Sequence, residues 1–211
     1  MTPRMLLLPL LFLLLPAAAS AGEPPPLVVL GTSRVWLEGD STLHRYQAQT
    51  HELHWTFGSK EGPRADGGVL ELLRADALSP VTLEIPVASL KSGEKGLDEN
   101  LRRALHAEKF PTIIFTVTSV QAAPGGAPEL SLALQGKLSV AGVARDLTVH
   151  AKASGAGDVV RLTGAQALKM SDFGVVPPVL MLGTIKTADA LSIRFDLYAR
   201  RRVESDPRAA R

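Results

Sequence analysis

The sequence contains no cysteine. No disulfide can brace the fold and no amino-terminal cysteine can carry a lipid, so the chain must be held by its core alone. Aromatic residues make up only 5%, too few for an extended base-stacking surface. Neither charge sign dominates: the formal net charge is +2. The pI near 9.0 reflects a small excess of Arg and Lys, so no nucleic-acid partner is expected. No Gly-x-Ser-x-Gly elbow occurs. Beyond the first residues, no apolar run is long enough to cross a bilayer, and no stable membrane insertion is expected.

What is present begins with a leader. Met1 to Arg4 is a short positive start, Met5 to Pro16 an apolar run, and Ala19-Ser20-Ala21 a small-x-small cleavage site. Residues 1–21 are expected to be a signal peptide, with Gly22 as the mature amino terminus and a periplasmic or secreted location. Glu23-Pro24-Pro25-Pro26 reads as a stiff linker within residues 22–33, residues 34–199 as a single domain, and residues 200–211 as a basic, Pro-interrupted tail. With 211 residues, 45% of them hydrophobic, one domain can bury a sizeable core.

Most of that domain alternates with a period of two. Val81, Leu83, Ile85 and Val87 share a face, as do Ile113, Phe115 and Val117. Leu130, Leu132, Leu134, Leu138 and Val140 form another such set, and so do Leu191, Ile193, Phe195 and Leu197. One buried and one solvated face per strand is the mark of an antiparallel sheet. Gly67-Gly68, Pro124-Gly125-Gly126, Gly142 and Gly155-Ala156-Gly157 supply turn signals at hairpin spacing. The pattern predicts an all-β domain, an antiparallel barrel of about eight strands. One segment departs from it. Leu97, Leu101 and Leu105 fall on one helical face, which predicts a single inserted amphipathic helix over Leu97 to Ala107, stopped by Pro111.

The segment Asp40-Ser41-Thr42-Leu43-His44 brings an acid, a hydroxyl and an imidazole together, as hydrolases do. Local adjacency does not make them converge, and Asp40 with Ser41 reads as a turn that caps backbone groups. His51 and His54, three apart on a strand, point to opposite faces, so no metal site is expected. Asp172-Phe173-Gly174 lacks the other kinase segments; Gly174 is expected to permit a bend and Asp172 to cap it.

Four segments, in order, carry a resemblance. GDSTLHRY, IPVASLKSGEKGLDENLRRALHAEKFPTIIF, GKLSVAGVARDLTV and KMSDFGV together resemble the YceI-like family from about Arg34 to Ala199. The resemblance implies a lipocalin-like barrel with a tunnel for a long-chain isoprenoid lipid, a polyisoprenoid or an isoprenoid quinone. It implies a binding protein rather than an enzyme, with no cofactor, and it is compatible with a homodimer. His44 of the first segment would meet the ligand head group, and Tyr46 of the same segment is a further ligand-binding candidate. Leu53, Trp55, Phe57, Ile113, Phe115 and Val117 would line the tunnel, with Leu101, Leu105 and Phe110 at its opening. Met170, Phe173 and Met181 would add apolar surface, flexible at the two methionines. Two other readings stay open at this point. One is a small exported hydrolase acting at Ser41 and His44. The other is a filled barrel that serves as accessory partner of a membrane redox protein.

Overall fold

The computed structural model describes residues 27–57, 68–78, 80–124 and 129–202. The expected leader, Met1–Ala21, and the expected mature amino terminus, Gly22, therefore lie outside the described residues. The strands are Leu27–Val29 (β1), Arg34–Ser41 (β2), Arg45–Thr50 (β3), His54–Phe57 (β4), Val81–Pro86 (β5), Thr112–Ala122 (β6), Glu129–Val140 (β7), Val143–Ala156 (β8), Val159–Lys169 (β9), Val179–Leu180 (β10) and Ile185–Arg201 (β11). The helices are Val69–Arg74 (α1) and Lys95–Ala104 (α2).

The strands form one curled antiparallel sheet in the order β3-β2-β11-β9-β8-β7-β6-β5-β4, with β1 and β10 paired to β11 off that path. This is the expected all-β, lipocalin-like architecture, with eleven strands among the described residues rather than about eight. The two outermost strands, β3 and β4, are consecutive in the chain and separated only by His51, Glu52 and Leu53. Gln49 and Lys91 exchange backbone hydrogen bonds of 2.8 and 2.9 Å, which ties β3 to the chain just beyond β5. One bent run of chain thus lies at both edges and brings the sheet back on itself.

The period-two faces are the inner wall. A bulge adjusts one of them. The β6–β7 register shifts between Val117 and Ser119, so Val117 and Val120, three residues apart, are both buried. The Asp76 carboxylate accepts a 2.9 Å hydrogen bond from the Val120 N–H at that place and pins α1 to the bulge. At the β7–β8 turn, Ala141 and Gly142 both have positive φ (49° and 81°), as a two-residue primed hairpin turn requires.

Several expectations need correcting. Residues 22–33 are not wholly linker, since Leu27–Val29 pairs with Ala199 to Arg201; the same pairing draws Arg200 and Arg201 out of the expected tail and into β11. Gly67 of the expected Gly67-Gly68 turn lies outside the described residues. Gly68 precedes a second helix, α1, which buries Val69, Leu72 and Leu73. The amphipathic helix α2 starts and stops earlier than Leu97 to Ala107, and Pro111 does not end it. The Ala107 N–H donates to the Arg102 carbonyl and the His106 N–H to that of Arg103, with His106 left-handed at φ 51°. That is a Schellman closure with histidine where glycine is usual.

Candidate functional site

The side chains of the inner wall do not fill the space within it. It encloses two cavities, one under each helix. The first, about 180 Å³, lies beneath α1 and is lined by Val69, Leu73, Trp55, Phe57, Phe115 and Leu134 among others. The second, about 150 Å³, lies beneath α2 and is lined by Leu101, Leu105, Tyr46, Ile113, Met170 and Phe173 among others. Leu138, Leu168 and Ile193 line both, so the cavities are neighbouring lobes of the lumen that share an aliphatic waist. Together they reach the lower end of the range of about 300–1,000 Å³ typical of ligand pockets.

The lobes differ in chemistry. The α1 lobe is walled almost wholly by aliphatic and aromatic side chains, and its Gln166 amide donates to the Ala167 carbonyl at 3.0 Å. The α2 lobe adds Tyr46, Asp98, Asn100, Lys169 and Thr187 to its aliphatic wall.

Each helix is fixed by a carboxylate. Asp98, 9% exposed, accepts from the Ser92 N–H at 2.8 Å and the Ser92 hydroxyl at 2.6 Å. These two hydrogen bonds hold its carboxyl below the ordinary value, against the opposing cost of burial. Asp98 is therefore spoken for within the lid rather than available to a ligand. Nothing in the alternation pattern singles it out; its signal is a Ser six residues upstream, across the Ser-Gly turn that opens the helix. Asp76 plays the corresponding part for α1.

Of the residues proposed from the sequence, Tyr46, Trp55, Phe57, Leu101, Leu105, Ile113, Phe115, Val117, Met170 and Phe173 line the lumen. Four do not. His44 is exposed on the β2–β3 turn, where its Nδ1 lies 2.6 Å from the Arg45 carbonyl. Leu53 sits in the connection before β4 and packs on the cluster of Val35, Leu83, Ile85 and Leu197 instead. Phe110 covers Gly142 at the β7–β8 turn, where any larger residue would collide with its ring. Met181 is 73% exposed, in a turn where it and Leu182 both have positive φ. Sequence reasoning missed α1 (Val69, Leu73) and the waist; Leu138 and Ile193 were read as inward-facing but not as a constriction.

The Asp172-Phe173-Gly174 segment closes a 3-10 turn, Met170–Phe173, with Gly174 at φ 67° and Phe173 turned into the α2 lobe. The carboxylate that holds the turn is not Asp172. Asp189 of β11 accepts from the Ser171 N–H at 2.8 Å and its hydroxyl at 2.7 Å, while Asp172 offers its carbonyl to Arg145 Nε at 2.8 Å.

The Ser41–His44 pair makes no catalytic contact. The Ser41 hydroxyl donates to the His44 carbonyl at 2.8 Å and accepts from the Leu43 and His44 N–H groups, each at 3.2 Å. Its hydrogen-bonding capacity serves the turn, as the sequence reading expected. His51 and His54 are engaged separately, by the Ser33 carbonyl and the Glu52 carboxylate.

Comparison with known proteins agrees with this architecture. The YceI-like domain model matches residues 43–199. Among solved structures, Burkholderia cenocepacia BcnA superposes with a TM-score of 0.59 at 20% identity, over 81% of this chain and 99% of that one. A polyisoprenoid binding domain from Saccharophagus degradans gives 0.60 at 12% identity, over 84% and 99%. A Campylobacter jejuni YCEI protein gives 0.52 at 16% identity, over 72% and 82%. At these identities the structural likeness is one of fold. A search of curated proteins gave no significant match. The domain match covers most of the chain, from the β2–β3 turn to the end of β11, and on that ground the chain belongs to the YceI-like family.

Proposed function

We propose that this protein is an exported carrier that holds the tail of an isoprenoid-type lipid in the lumen and performs no chemistry on it. The observation that carries the reading is the pair of largely apolar lobes beneath α2 and α1, which share the waist of Leu138, Leu168 and Ile193. Each methylene taken from water into such a wall contributes about 0.8 kcal/mol, so a long tail needs few polar contacts to be held. The family membership and the polyisoprenoid-binding neighbour support the same ligand class. Export rests on the leader-like segment Met1–Ala21. A hydrolase acting at Ser41 has no support in the geometry, because the hydroxyl is committed to backbone groups.

The test is organic extraction of protein purified from a bacterial host, followed by mass spectrometry. The reading expects an isoprenoid lipid recovered in proportion to protein, and less of it from a variant with the waist closed by Leu168→Trp. Equal lipid from both proteins, or none from either, overturns it.

A further inference from the structure

Among the described residues, two buried side-chain polar atoms have no hydrogen-bond partner: the Tyr46 hydroxyl and the Trp55 indole N–H. Buried polar groups are almost always paired, so each orphan needs a reason. They lie in different lobes, Tyr46 beneath α2 and Trp55 beneath α1.

Tyr46 is placed with care. It stands directly opposite Gly39 in the β2–β3 ladder, and a side chain on Gly39 would collide with its hydroxyl. Glycine at that position lets the phenol lie across the neighbouring strand. Burial, and secondarily the Asp40 carboxylate, push the phenol above its ordinary value, so it is a neutral donor at physiological pH. The same lobe is lined by the polar side chains of Asp98, Asn100, Lys169 and Thr187; Asp98 is engaged by Ser92, and Lys169 is exposed. Trp55 has a different setting. Its lobe lies beneath α1, whose Val69 is wholly buried, and Phe57, Val81, Leu83 and Phe115, which line the same lobe, are apolar.

Resting on the lipid-carrier reading, we propose that the lumen takes its lipid in one orientation. A head-group oxygen accepts a hydrogen bond from the Tyr46 hydroxyl, and the tail runs through the waist into the α1 lobe. The shared chemistry is an oxygen acceptor at the head of an isoprenoid chain, which a quinone carbonyl or a prenyl phosphate provides equally. The Tyr46 hydroxyl is then a selectivity element. It is left unpaired by a bare hydrocarbon and satisfied by a headed lipid.

The experiment measures dissociation constants for geranylgeranyl phosphate, a benzoquinone bearing the same tail, and the tail-only hydrocarbon. It uses delipidated wild type, Tyr46→Phe and Trp55→Phe. Tyr46→Phe keeps the ring over Gly39 and removes only the orphan oxygen, so the empty protein should melt no lower than wild type. The expected result is a loss of up to about tenfold in affinity for the headed probes on Tyr46→Phe, with the hydrocarbon bound as well as before or better. Lys169→Gln then separates the two sources, because it weakens the phosphate and leaves the quinone unaffected. Equal changes for headed and bare probes would reduce Tyr46 to a packing residue and overturn the inference. Head-group discrimination lost on Trp55→Phe instead would reverse the orientation and overturn it as well. If wild type binds none of the probes, the carrier reading itself falls.

Discussion

Replacing Phe115 by tryptophan distinguishes a lumen from an ordinary core. Phe115 lines the α1 lobe, and its ring already packs against Gly136, where an added Cβ would sit 3.0 Å from Phe115 Cε2. Extra bulk at position 115 therefore goes into the lobe rather than toward β7. An unfilled apolar cavity costs about 24 cal/mol per Å³, so the lobe of about 180 Å³, when empty, leaves about 4 kcal/mol unrealised. The indole recovers part of this. In delipidated protein, Phe115→Trp should leave the melting temperature unchanged or raise it by an amount worth up to about 1 kcal/mol, which is about 2–4 °C for a domain of this size. In protein purified with lipid, the same substitution should shift the recovered tails toward shorter chains. The assay is paired calorimetry and lipid mass spectrometry on both proteins. If the face is close-packed, overpacking should cost about 1–3 kcal/mol. A lowered melting temperature with unchanged lipid would refute the reasoning and place Phe115 in a filled core.

Three further outcomes follow from individual contacts. Asp98→Asn weakens the two hydrogen bonds from Ser92 and should cost about 1–2 kcal/mol, with faster amide exchange confined to α2. Asp98 and Asp196, the latter paired with Arg161 at 2.8 and 2.9 Å, both titrate below the ordinary carboxylate value. Their stabilisation is fully present above the unfolded value of about 3.9 and is lost as pH falls through the lower folded values. Stability should thus decline below about pH 4, less steeply in Asp98→Asn, as acid titration followed by circular dichroism will read. Ser41→Ala removes a turn hydroxyl and should cost about 0.5–1.5 kcal/mol in denaturant melts, with lipid recovery unchanged. An esterase activity that disappears with it would promote the hydrolase reading. His106→Gly relieves the left-handed residue that closes α2 and should stabilise the fold by about 0.5–1 kcal/mol in the same melts.

How much was legible in the sequence follows from which interactions are local. Alternation is a property of neighbours along one strand, so the inward faces of β6, β7 and β11 could be read directly, and with them Ile113, Phe115 and Val117. The 3.6-residue period placed Leu101 and Leu105 on the lid face of α2 for the same reason. The failures depend on tertiary contacts or on backbone irregularity. The single turn and a half of α1 is too short for a clear period, and the glycines before it looked like a hairpin. Leu53 shares parity with Trp55 and packs on the same cluster, but it lies in the connection before β4 and does not line the cavity that Trp55 reaches. Met181 looked like lumen surface by composition, yet its left-handed backbone turns it outward. His44 was carried over from a family motif, and the turn it sits on lies outside the lumen. The orphan hydroxyl of Tyr46 belongs to the same group, since its burial depends on Gly39 across the ladder.

The central claim is that the two lobes are one lumen occupied by one lipid tail. A crystal structure of the protein saturated with the tailed benzoquinone tests it most directly. The account predicts continuous density from Tyr46, between Leu138, Leu168 and Ile193, to the lobe beneath α1. Density confined to the outer surface, with the waist side chains in mutual contact and the α1 lobe collapsed, would contradict it.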